Sequence, residues 1–131
     1  MYKSSQELVQ EALAAVRTVS AEEAIELHRQ VSARLVDLRE AGELRRSGSI
    51  PGAFHAPRGL IEFWFDPTPG LGKPELIETH TTYVLFCAAG WRSALAAKAL
   101  QEMGVARVCH IAGGFEAWRL AGGVVSPGQP E

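Results

Sequence analysis

The chain has 131 residues, 47% of them hydrophobic and 21% charged, with a formal net charge of −2. That length supports one hydrophobic core, and so even a charge balance gives no electrostatic case for nucleic acid or an anionic membrane as partner. No apolar run approaches the ~20 residues needed to span a bilayer, and Met1-Tyr2-Lys3-Ser4-Ser5 lacks a secretory pattern, so a cytoplasmic location is expected.

Leu8, Val9, Ala12, Leu13 and Val16 recur at helical spacing, and residues 1–17 are expected to form an N-terminal helical extension. Arg17-Thr18-Val19 reads as a short strand. Ser20-Ala21-Glu22-Glu23 is a capping box that opens a helix running to about His28. Ala33 to Asp37 is a short apolar run ending in an acid, the pattern of a buried strand reaching a functional edge. Residues 40–46 add a helical turn, and Ile50-Pro51-Gly52-Ala53-Phe54-His55 reads as a turn followed by a short strand.

Residues 59–66 predict a helix carrying Leu60, Ile61, Phe63, Trp64 and Phe65, with core packing as their use, before a loop rich in proline and glycine. The second half alternates: strand 82–86, helix 93–103 closed by Gly104, strand 105–111, Gly113-Gly114, helix 115–121. Strands alternating with helices predict an α/β fold, a parallel sheet with helices on both faces. Binding in such sheets occurs outside the C-terminal ends of the strands, where Asp37 and Cys87 fall. Residues 124–131 are expected to be a flexible tail.

The stretch Val84-Leu85-Phe86-Cys87-Ala88-Ala89-Gly90-Trp91-Arg92-Ser93 carries most of the chemistry. It delivers Cys87 between the end of a strand and the start of a helix, where backbone N–H groups converge and the helix dipole is positive. Such surroundings favour the thiolate, which is the reactive form. Small residues at Ala88, Ala89 and Gly90 let the loop turn its amides inward as an anion nest. Arg92 adds a charged fork suited to oxyanions, with a surface ion pair as its other reading, and Ser93 adds a hydroxyl at the helix start. Asp37 is read as bracing this loop by hydrogen bonding rather than acting as a base. Cys109, the second of only two cysteines, is read as structural, because it and His110 point to opposite faces of a strand. Neither the cysteine count nor the glycines at 113 and 114 make a metal site or a nucleotide motif.

Leu35-Val36-Asp37-Leu38-Arg39-Glu40, Gly48-Ser49-Ile50-Pro51-Gly52-Ala53, Pro57-Arg58-Gly59, the Cys87 loop and Gly113-Gly114-Phe115-Glu116-Ala117-Trp118 stand in a recognisable order. Together they resemble a single-domain rhodanese, a sulfurtransferase, over roughly residues 18 to 123. The resemblance implies a five-stranded, largely parallel sheet, with Cys87 as a nucleophile that carries a persulfide. It also implies a thiosulfate-type sulfur donor and a thiophilic acceptor, with a protein as an alternative acceptor and no metal or organic cofactor. Ala88, Ala89, Gly90, Trp91, Arg92 and Ser93 would bind the donor, while Arg58 reads either as a second anion contact or as a solvated loop arginine. Phosphatases sharing this fold have a cysteine-to-arginine loop one residue longer, whereas here four residues separate Cys87 from Arg92. The alternative to an enzyme acting on thiosulfate is a persulfide relay module working with protein partners. One departure is Ser49, where family members often carry histidine; that position is read as structural.

Overall fold

The computed structural model describes residues 1–129. Five strands, β1 (Arg17–Val19), β2 (Ala33–Asp37), β3 (Phe54–His55), β4 (Thr82–Phe86) and β5 (Val108–Ile111), form one sheet in the order β1-β5-β4-β2-β3. Every pairing is parallel. β4 is central, and the C-terminal end of β4 leads directly into Cys87.

Six α-helices cover the sheet: α1 (Ser5–Ala15), α2 (Ala21–His28), α3 (Ala41–Ser47), α4 (Ile61–Trp64), α5 (Trp91–Met103) and α6 (Gly114–Leu120). Strand alternation sorts the core into two layers. Val36, Tyr83, Leu85, Cys87 and Val108 meet Ala96, Ala97 and Leu100 of α5 together with Ile61 and Phe65. Leu35, Val84, Phe86, Cys109 and Ile111 meet Ala21 and Ala24 of α2 and Phe115 and Trp118 of α6. Cys87 and Cys109 therefore lie on opposite faces, and both are free thiols.

Several boundaries differ from the sequence reading, each for a local reason. The helix predicted over 59–66 is a 3-10 turn, Arg58–Leu60, followed by a single α-turn. Its aromatic residues divide: Phe65 enters the core while Phe63 stays exposed. α5 begins at Trp91 rather than Ser93, because Gly90 takes a left-handed conformation (φ 105°) that ends the loop earlier. Residues 1–17 were expected to form an extension. In the structure α1 packs on α5 and buries Val9 and Ala12, Gln101 Nε2 donates to the Ala15 carbonyl, and Arg17 already belongs to the sheet.

The tail also differs from expectation as far as residue 129. Ser49 and Ser126 form an antiparallel bridge, Gln129 N–H donates to the Arg45 carbonyl, and Trp118 Nε1 donates to the Val124 carbonyl. These backbone groups find partners that composition alone does not reveal. Residues 130 and 131 of the expected tail lie outside the described residues. Ser49 thus serves the fold through its backbone. Among the described residues no helix is long and apolar enough to cross a membrane.

Candidate active site around Cys87

The loop 87–90 is a cup with sulfur at its base. Cys87 Sγ accepts N–H bonds from Gly90 at 3.2 Å and from Ser93 at 3.4 Å, and lies 3.6 Å from Ser93 Oγ. Ser93 is the third residue of α5, and Gly90, the capping residue, has no side chain to receive its N–H. The cysteine sulfur therefore does what a serine or aspartate cap does elsewhere. Two amide donors and the positive end of a 13-residue helix converge on one atom, an arrangement that stabilises negative charge there. Cys87 is 1% exposed, so Sγ sits at the bottom of the cup and not on the surface.

The far wall of the cup is α6. Phe115 N–H donates to the Cys87 carbonyl at 2.8 Å and Glu116 N–H to the Ala88 carbonyl at 3.3 Å. This approach needs Gly114, whose φ is 60° and whose missing Cβ would stand 2.3 Å from the Cys87 carbonyl oxygen. Gly114 thus serves the cysteine loop.

Two expected site residues are engaged in ion pairs. Of the two readings of Arg92, anion contact or ion pair, the structure holds the second: its guanidinium makes a bidentate pair with Glu43 of α3, at 2.8 and 2.9 Å. The reason is electrostatic: Glu43 reaches across from α3, and a carboxylate matches the fork of the guanidinium. The Arg92 pKa is raised chiefly by Glu43, with a smaller part from Cys87. Asp37 was assigned to brace the cysteine loop. Its carboxylate instead binds Arg39, at 3.0 Å to Nε and 2.8 Å to Nη2. Arg39 is buried and needs a counter-charge, which the acid two residues before it supplies.

Of the remaining candidates, Ala88 is half-buried, Ala89 is exposed and Trp91 is 65% exposed at the rim. Arg58 pairs with Glu62 one helical turn on, at 2.9 Å. Cys109 is fully buried and desolvation pushes its thiol up to about 11, so it stays protonated. A cleft of about 470 Å³ opens beside the loop, lined in part by Arg39, Glu43, Arg46, Ala88 and Arg119. A second cavity of about 250 Å³, lined by Phe65, Tyr83 and Val105, touches none of the site residues. Among the described residues no three histidine, cysteine or acidic side chains are grouped to hold a metal ion.

Residues 20–121 match the model of the rhodanese-like domain. The chain belongs to that family. A Bacillus subtilis relative described as a candidate sulfur carrier protein, YrkF, is 30% identical over 87 residues, which are 66% of this chain and 42% of that protein. The chain thus spans less than half the length of that curated relative. Among solved structures, a Rhodopseudomonas palustris protein of unknown function, described as a possible tyrosine phosphatase, superposes with a TM-score of 0.90. It is 41% identical, with 96% of each chain covered. A thiosulfate sulfurtransferase from Pseudomonas aeruginosa is 25% identical at a TM-score of 0.73, covering 97% of this chain and 23% of that one. A rhodanese-related protein from Thermoplasma volcanium is 26% identical at 0.68, covering 84% and 97%.

Two further side chains stand beside this site. Glu43 is 49 positions from Arg92, and nothing local announces their pairing. Strand parity that separates His110 from Cys109 also carries a signal: Leu85 pairs with His110 in register, which puts His110 on the face of Cys87.

The Glu43–Arg92 pair carries a pH dependence. Arg92 holds the Glu43 carboxyl down at about 2 from its ordinary 4.5. A lowered folded-state value means the contribution to stability is complete above 4.5 and is lost as pH falls toward 2. Glu43→Gln should therefore lose less stability than the wild type between pH 6 and pH 3, read from urea midpoints at the two values. Equal losses would mean that the pair does not couple to folding.

Proposed function

We propose that the protein transfers sulfane sulfur through a persulfide on Cys87, taking it from thiosulfate or a similar donor and giving it to a thiophile. The observation that carries this reading is the cup: one sulfur atom receiving two amide N–H bonds at the N-terminus of α5. The Cys87 thiolate attacks the outer sulfur of thiosulfate, the S–S bond of the donor breaks, and its electron pair leaves with sulfite. Cys87 now carries the added sulfur as a persulfide anion. A thiophile then attacks that outer sulfur, and the electron pair of the Cys87 S–S bond returns to Sγ. In both steps negative charge sits where the loop amides point.

Depth and loop length favour sulfur over phosphate. A donor must reach a nearly enclosed Sγ, which a protruding terminal sulfur does more readily than a phosphoryl group crowded by its oxygens. The description of the Rhodopseudomonas relative concerns that protein. Here the loop is one residue shorter than the phosphatase loops sharing this fold.

A second reading, a persulfide relay with protein partners, draws support from Glu43. By occupying the Arg92 fork it neutralises the cation best placed to hold the sulfonate end of thiosulfate. A donor without that dianionic end would lose less. Intact mass separates the readings. Thiosulfate treatment is expected to add one sulfur to the wild type, removed by cyanide and absent in Cys87→Ala. If loading comes only from a low-molecular-weight persulfide, the relay reading prevails; if neither donor loads Cys87, both fail. Glu43→Gln should raise the thiosulfate loading rate about fivefold, with persulfide loading little changed.

A further inference from the structure

β5 places His110 beneath the first turn of α5, and the imidazole is 1% exposed. Both of its nitrogens are engaged. Nδ1 lies 3.0 Å from Ser93 Oγ, and Nε2 lies 2.9 Å from Thr18 Oγ1 on the neighbouring edge strand β1. Thr18 is exposed and stands opposite His110 in the register. With the 3.6 Å contact between Cys87 Sγ and Ser93 Oγ, an unbroken chain of hydrogen bonds joins a buried sulfur to the hydroxyl of an exposed residue.

Every link both donates and accepts, so the chain has two complete proton arrangements. With a thiol, Sγ–H donates to Ser93 Oγ, Ser93 O–H donates to Nδ1, and Nε2–H donates to Thr18 Oγ1. With a thiolate each bond reverses: Thr18 O–H donates to Nε2, Nδ1–H to Ser93 Oγ, and Ser93 O–H to the sulfur anion. Passing from the first to the second moves one proton along each link, and the proton released at Thr18 goes to water. The imidazole is neutral before and after, as its burial, which lowers its pKa, favours.

We propose that His110 is a positioning residue for Cys87: held by Thr18, it directs the Ser93 hydroxyl at the sulfur and conducts the thiol proton out through β1. This rests on the reading of Cys87 as the nucleophile. Arg92 of α5 is held by Glu43 of α3, and burial lowers the His110 pKa.

Alkylation of Cys87 by iodoacetamide, followed against pH, tests the chain without any sulfur donor. Its result is therefore independent of whether thiosulfate is a substrate. Thr18→Val keeps a β-branched strand residue but ends the chain at Nε2. It should slow alkylation at pH 7 about threefold or more and move the profile to higher pH, the scale of one weakened hydrogen bond. Thr18→Ser should restore the wild-type profile. In a Ser93→Ala background Thr18→Val should add nothing, because its influence passes through that hydroxyl. His110→Phe should match Thr18→Val or exceed it, and if it fails to fold the threonine variants decide alone. A Thr18→Val profile equal to the wild type, a failure of Thr18→Ser to restore it, or an unchanged effect without Ser93 would overturn the proposal.

Discussion

Gly114→Ala is expected to lose about 2–4 kcal/mol of stability and to load sulfur at least tenfold more slowly, through two separable causes. An alanine at φ 60° carries the backbone strain of a left-handed residue. Its Cβ would also stand 2.3 Å from the Cys87 carbonyl oxygen and 2.8 Å from the Ala88 carbonyl carbon, which is backbone and cannot rotate aside. Either α6 or the cysteine loop must move, and movement pulls the amides away from Sγ. Gly122→Ala isolates the first cause, since its φ is 87° and nothing lies within 4 Å of the added carbon. That variant should lose about 1 kcal/mol and load sulfur normally. Urea unfolding and the mass-based loading rate measure both effects. Should Gly114→Ala load at the wild-type rate, α6 does not hold the loop.

What was legible in the sequence follows from how local each cause is. The cysteine loop could be read because its parts are contiguous: strand, sulfur, small residues, helix. The α/β alternation and the capping box at Ser20 could be read for the same reason. The box is present, with Ser20 Oγ accepting from Glu23 N–H at 3.0 Å. The start of α5 was misplaced by two residues because Ser93 looks like a cap, whereas the cap is supplied by the sulfur of Cys87 across Gly90. That substitution of one acceptor for another is visible only in three dimensions.

Longer-range partners were out of reach for a physical reason. A charged side chain such as Arg92 fits an oxyanion ligand and a protein carboxylate equally well, and sequence cannot say which one arrives. The same holds for His110, a histidine in an apolar strand, whose use depends on the hydroxyls that β1 and α5 bring to its two nitrogens. A chain terminus reads as loose by default, yet Gly128 fits against the carbonyls of Arg45 and Arg46 where a side chain would not.

Asp37→Asn is expected to cost about 3–5 kcal/mol, the scale on which one partner of a buried ion pair is lost. The pair has 2% side-chain exposure on both sides, and its strength lies in its closure. Arg39 gives Asp37 its backbone N–H, Nε and Nη2, turns Nη2 also to the Gly48 carbonyl at 2.9 Å, and lays its guanidinium 4.1 Å from the ring centre of Phe115. Asparagine keeps an acceptor but not the charge, so the guanidinium remains buried without compensation. The same stacking ties the pair to the active site, because Phe115 N–H is the donor that holds the Cys87 carbonyl. Loosening Arg39 should therefore speed hydrogen exchange at the Phe115 amide beyond what the global loss of stability explains. Arg39→Lys tests the fork: it retains the charge but cannot bind both carboxylate oxygens side by side or lie flat on the ring, and should recover only part of the loss. Replacing the pair together, Asp37→Leu with Arg39→Met, should cost less than the two single changes summed, since neither charge is then stranded. An Asp37→Asn protein with wild-type unfolding and unchanged exchange at Phe115 would mean that the ion pair contributes nothing to the wall of the cup.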